Sequence, residues 1–149
     1  RHKFMDHDDD PAPEFLDGCA AEISKLFHYW NSLRNGRRMP ARSDMDPLDI
    51  PRLLRYIQLI DVSLDPLEFR YRLVGTRLVD RLGGELTGKQ VGNIDSILDD
   101  YREVVSQQTY KYSQARLTNP KEDDKVEETV YLPFSDDGET VNIIMVCII

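Results

Sequence analysis

Tyr56-Ile57-Gln58-Leu59-Ile60-Asp61-Val62 and, with six residues between, Phe69-Arg70-Tyr71-Arg72-Leu73-Val74-Gly75-Thr76 are the most strongly patterned stretches of this chain. Both are rich in β-branched and aromatic residues, and Asp65-Pro66 between them is a turn signal. The pattern predicts a first strand over 56–62 and a second over 68–74. Strand side chains alternate, so Phe69, Tyr71 and Leu73 are expected on one face and Glu68, Arg70 and Arg72 on the other. Gly75 permits an unusual backbone angle at the strand end, and Thr76 can cap a short helix, Arg77 to Leu82, stopped by Gly83-Gly84. Such a front half suits a small domain of sheet and cap around a pocket.

Further along, Ile97, Leu98, Tyr101, Val104 and Val105 give the segment 94–109 the apolar face of a helix. A third strand is expected near 110–117, carrying Tyr110 and Tyr112, followed by a charged loop from Asn119 to Asp124. Strands four (126–134) and five (140–149) are joined by Ser135-Asp136-Asp137-Gly138, a hairpin signal. The fifth strand is apolar on both sides: Val141, Ile143, Met145 and Cys147 point one way, Ile144, Val146 and Ile148 the other. A strand of that kind is central and covered on both faces. The 94–109 helix can cover one. The other needs the N-terminal helix or a second copy of the chain.

That N-terminal helix is expected over 14–35. Leu16, Cys19, Ile23, Leu26, Phe27, Trp30 and Leu33 recur at three- and four-residue steps, and Gly36 stands where a left-handed C-cap belongs. Leu26, Phe27, Trp30 and Leu33 are the candidates for helix packing or dimer contact. His28 lies off this stripe. From Met39 to Pro51, prolines allow only short helical pieces, with Asp46-Pro47 as cap and first turn. Capping accounts for most of the acidic trio Asp44, Asp46 and Asp49, which leaves little for metal or acid–base chemistry. Residues 1–13 read as a flexible tail, 14–55 as the helix with a proline-broken segment, and 56–149 as the core domain.

The chain has 149 residues, 40% of them apolar, enough for one real core. No apolar run is long enough to span a membrane. The charged opening residues show no signal peptide, and the two distant cysteines suit a reducing cytoplasm. A net charge of −8 argues against nucleic acid as partner. Arg34, Arg37, Arg38 and Arg42 are a local exception. A solvated helix end accounts for them, with an anion or partner contact through Arg37 and Arg38 as the sharper reading.

Taken in order, Trp30, Leu33-Arg34, Gly36 to Asp44, Asp46-Pro47, Leu53-Leu54, Phe69 to Thr76, Leu86-Thr87-Gly88-Lys89, Tyr131 to Ser135 and Asp137-Gly138 resemble a bacterial PAS-like family. That family is found mainly in alphaproteobacteria, often as a stand-alone PAS unit. The resemblance implies an α+β fold. Its five-stranded antiparallel sheet has the order 2-1-5-4-3 with strand five central, under a helical cap and beside an N-terminal amphipathic helix. It implies a sensory or signalling role, often with dimerisation through that helix, and carries over no agreed ligand.

Several PAS chemistries need residues that stand elsewhere in this sequence. The histidines His2, His7 and His28 all precede the sheet, which disfavours haem. Neither Cys19 nor Cys147 sits in the helix motif of a light-oxygen-voltage photosensor, which disfavours a photoactive flavin. No cofactor and no metal are expected. The candidate pocket is lined by Phe69, Tyr71, Leu73, Tyr101, Tyr112 and either Tyr131 or Leu132, unless these rings simply fill the core. Arg72 either pairs with a neighbouring acid or contacts an anionic ligand or partner. The function expected is a cytoplasmic sensory module that binds a small ligand or a protein partner, and not an enzyme. The alternatives are a dimerisation scaffold without ligand and, with least support, a small hydrolase or isomerase using Asp80 as base.

Overall fold

The computed structural model describes residues 12–82, 84–92, 95–117 and 125–149. The 1–13 tail lies outside it for all but its last two residues, and the charged 119–124 loop lies outside it too. The element order is α1 (Ala21–Arg34), three short 3-10 turns, β1 (Ile57–Ser63), β2 (Glu68–Val74), α2 (Thr76–Leu82), α3 (Asp95–Gln107), β3 (Lys111–Leu117), β4 (Lys125–Phe134) and β5 (Ile143–Ile148). The strands form one antiparallel sheet in the order β2-β1-β5-β4-β3. β5 is therefore the middle strand, as its two apolar faces require.

Each face of the sheet carries its own core. Ile57, Leu59, Val130, Leu132, Phe134, Ile143, Met145 and Cys147 pack against Ile23, Leu26, Phe27 and Trp30 of α1. Ile60, Tyr131, Ile144 and Val146 pack against Leu98, Tyr101 and Val104 of α3. The N-terminal helix thus covers the sheet of its own chain. Leu26, Phe27 and Trp30 are buried in that contact, with Leu33 packed at its margin. Trp30 also donates its indole N–H to the Pro133 carbonyl at 2.8 Å, fixing α1 to β4. Pro133 is tolerated there because β3 pairs with β4 only as far as Tyr131, so its missing N–H faces no partner strand.

The structure departs from the sequence reading at six points. The N-terminal helix is not continuous over 14–35: a 3-10 turn, Glu14–Asp17, ends at Gly18, and α1 begins after Ala20. The Ala20 N–H donates to both carboxylate oxygens of Glu128, at 3.0 and 3.2 Å. That anion holds the positive end of α1. Phe15 stacks on Tyr112 at 4.5 Å, which seats the leading turn over β3 on the same face as α1. At the other end of α1 the left-handed cap is Asn35 (φ 52°), with Gly36 (φ 82°) after it.

Gly75 is needed for space and not for an unusual angle. A Cβ there would lie 2.3 Å from the Leu54 carbonyl oxygen and 2.6 Å from that of Arg55. Ile97 was expected in the buried face of α3 but is 40% exposed. β5 starts only at Ile143, so Val141 escapes the alternation and packs with Ile144 and Val146 in the α3-side core.

The sixth departure matters most. Leu59 pairs with Leu73, but Ile60 pairs with Tyr71, so Arg72 is an extra residue in β2. A bulge re-aims the side chains that follow it. Leu73 consequently lies opposite Leu59 on the α1 face, while Phe69 and Tyr71 stay on the α3 face. The outer edge of β2 is paired by the segment after α2: Tyr71 N–H to Lys89 O (2.9 Å), Gly88 N–H to Tyr71 O (2.6 Å) and Val91 N–H to Phe69 O (2.8 Å).

Candidate functional site

On the α3 face the alternation of β1 points Gln58 inward beside Ile60, opposite Val146 of β5. Gln58 is only 5% exposed and Tyr101 of α3 only 2%. The Gln58 side-chain amide donates to the Tyr101 hydroxyl at 3.2 Å. Burying an amide and a phenol without such a bond would be costly, so each holds the other in place. Burial pushes the Tyr101 hydroxyl far above its ordinary pKa, with the neighbouring Tyr71, Tyr131 and Asp100 adding to the shift. Tyr101 is thus a neutral hydrogen-bonding group throughout the physiological range.

Aromatic rings surround this polar pair. Phe69 lies 5.3 Å from Tyr101, and Tyr131 meets the Tyr101 ring edge-on at 6.0 Å. Tyr131 donates its hydroxyl to Asp100 at 3.1 Å, and burial holds that hydroxyl well above its usual pKa. Lys111 pairs with Asp100 (3.2 Å) and Glu103 (2.9 Å), tying α3 to β3. Tyr71 is half-buried at the margin, its pKa raised by burial. A cleft of about 530 Å³ opens between β2, the 90–92 segment and α3, lined by Leu67, Glu68, Phe69, Gln90, Val91, Gly92, Leu98 and Arg102. Phe69 and Leu98 form both the wall of this cleft and part of the core around Tyr101.

Of the residues picked as pocket lining, the structure brings together Phe69, Tyr71, Tyr101 and Tyr131, and of the pair Tyr131 or Leu132 it turns Tyr131 to this face. Leu73 and Tyr112 are elsewhere. The Arg72 bulge moves Leu73 to the opposite face. Tyr112 pairs with Val130 on the α1 face, stacks on Phe15 and donates its hydroxyl to Glu128 at 2.8 Å. Gln58 was missed, although an amide inside the run Ile57 to Ile60 was a visible signal.

The arginines picked for an anion or partner have ligands within the chain. Arg37 pairs with Asp44 at 2.7 Å and donates to the Leu33 and Arg34 carbonyls, closing the end of α1. Arg38 donates to Gln108, and Arg72 pairs with Asp61 at 3.5 Å. Asp46 accepts the Leu48 N–H as an N-cap, and Asp49 accepts the Tyr29 hydroxyl at 3.0 Å. Asp44 is held below the usual carboxylate range by the Ala41 N–H and by Arg37. Asp80 is exposed on α2, and His28 is exposed on α1, across the sheet from Tyr101. Burial pushes the Cys147 thiol up to about 12. Among the described residues no three His, Cys, Asp or Glu side chains converge, and no helix is long and apolar enough to cross a membrane.

An antiparallel sheet in the order 2-1-5-4-3, with helices over a polar-centred aromatic core, defines an α+β sensor-type domain. The chain belongs to the PAS domain family, whose profile matches residues 20–147. Three solved structures are similar to it at low identity. The PAS domain of Bordetella pertussis BvgS is 14% identical over 70% of this chain and 84% of that one, with a TM-score of 0.45. A light-oxygen-voltage protein of Rhodobacter sphaeroides is 13% identical over 70% and 68%, with a TM-score of 0.44. The light-state dimer of the fungal blue-light photoreceptor Vivid is 11% identical over 93% and 97%, with a TM-score of 0.45. No curated protein matches the sequence significantly.

Proposed function

We propose that this PAS domain is a non-enzymatic sensory module whose α3-side pocket takes a small, neutral, largely apolar ligand with one hydrogen-bonding group. The observation that carries this reading is the Gln58–Tyr101 hydrogen bond, a buried neutral donor–acceptor pair in an aromatic core beside an open cleft. Haem and a photoactive flavin are not part of the reading, and a cytoplasmic setting is supported by two free thiols.

Transmission follows from the sheet being a single layer. In β1, Gln58 and Ile60 face the pocket while Ile57 and Leu59 face α1. In β5, Ile144 and Val146 face the pocket while Ile143 and Met145 face α1. A ligand that shifts β1 or β5 therefore repacks the seat of α1 and changes the population of its placements. Native mass spectrometry of gently purified protein tests the proposal. A co-purifying small mass that is lost in the Gln58→Leu/Tyr101→Phe variant supports it. A bare polypeptide mass, together with no amide shifts near Tyr101 across a metabolite panel, overturns it in favour of a scaffold domain.

A further inference from the structure

We propose that the opposite face of the sheet carries a second site, independent of the pocket: a groove that docks an acidic amphipathic segment of a partner protein. Its floor is Ile57 and Leu59 of β1 and Leu73 of β2, and its wall is Met45, Pro47, Pro51 and Leu54, enclosing about 380 Å³. A second cleft of about 450 Å³, lined by Lys25, Tyr29 and residues 49–53, meets the first at Pro51. Leu48 sits between Pro47 of one cleft and Asp49 of the other and is 80% exposed; Leu73 is 42% exposed. The Arg72 bulge is what brings Leu73 to this face at all. Without it, the groove would lose its apolar floor at β2.

The charge around the groove runs against that of the chain. The protein carries −8 overall, yet Lys25, Arg42, Arg52 and Arg55 line the two clefts. Lys25, Arg52 and Arg55 form no ion pair among the described residues. Arg42 donates one guanidinium N–H to the Met45 carbonyl at 2.9 Å, while its buried Nε–H has no acceptor among the described residues. Asp49, the acid in the second cleft, is engaged by Tyr29. Apolar anchors flanked by cations suit a helix or strand that offers leucine-like side chains with carboxylates beside them. An anionic bilayer fits less well, because the net charge repels it and the surface is concave.

The test uses a short synthetic helix presenting Glu and Leu at three- and four-residue spacing, with a Lys-for-Glu version as control. Binding is read by fluorescence anisotropy and mapped by amide shifts. The acidic peptide should bind, with shifts confined to residues 25–29, 42–59 and 73–76, and the Lys version should not. Arg52→Glu/Arg55→Glu should weaken binding about tenfold or more and reduce its salt dependence. Both positions are exposed, so the fold is retained, and circular dichroism checks it. Equal binding of the Lys peptide, shifts outside these segments, or no binding overturns the proposal. So does a dimer in sedimentation equilibrium that Leu48→Asp abolishes, which would assign the groove to a second copy. Preferential binding to phosphatidylserine vesicles would assign it to a membrane and overturn it as well.

Discussion

The two faces of the sheet are built from the same strands yet differ in kind. Against α1 the contact is apolar side chains sealed around Trp30, whose indole N–H is bonded to a backbone carbonyl of β4. Against α3 the core contains an amide and two tyrosine hydroxyls, each bonded to a side chain on another element. The first arrangement maximises burial. The second keeps polar groups inside at the cost of their desolvation, and it lies beside an open cleft. The apolar seal lies on one side of β5 and the buried polar groups on the other.

The strongest challenge to that division is Trp30→Ala. It should cost about 3–5 kcal/mol in urea unfolding, because it opens a cavity and frees the Pro133 carbonyl. A much smaller loss would mean that α1 is only loosely seated.

Alkaline titration comes next. Tyr101 and Tyr131 have folded-state pKa values raised above their unfolded ones. Stability is therefore fully present below pH ~10 and falls as pH rises past it, by about 1.4 kcal/mol per pH unit for each hydroxyl. Tyr101→Phe/Tyr131→Phe should flatten this slope more than Tyr112→Phe on the α1 face. Equal flattening would erase the contrast.

Tyr101→Phe alone should destabilise by about 1–3 kcal/mol, since it strands the Gln58 amide. Adding Gln58→Leu should restore stability to within about 1 kcal/mol of the parent, a cycle that measures the buried pair directly. Smallest of all, Arg72→Ala should change stability by less than about 1 kcal/mol, because its pair with Asp61 is largely exposed.

Much of this architecture was legible in the chain. The central place of β5 followed from its residues, apolar at both odd and even positions and so in need of cover twice, while the full strand order came with the family resemblance. The helical stripe of Leu26, Phe27 and Trp30 matched the cover required. What could not be read was anything set by pairing across strands. The alternation Phe69, Tyr71, Leu73 is unbroken in sequence, and the extra residue at Arg72 exists only relative to Leu59 and Ile60 of the neighbouring strand. Tyr112 has no intrinsic side either; its register against Val130 assigns it to the α1 face. The break at Gly18 was masked because Leu16 and Cys19 continue the helical spacing across it. Gln58 went unread for a different reason: a single amide in an apolar run looks like noise until its phenolic partner is found on another element.

The hydrogen bonds between Tyr71, Phe69 and the 88–91 segment have a consequence for the crowded cell. They hem the border strand, taking up the donors and acceptors with which a stray polypeptide would otherwise zip onto it. Loosening that hem, for instance by replacing Gly88, which holds φ at 86°, would leave a raw selvedge on which fibrils could begin.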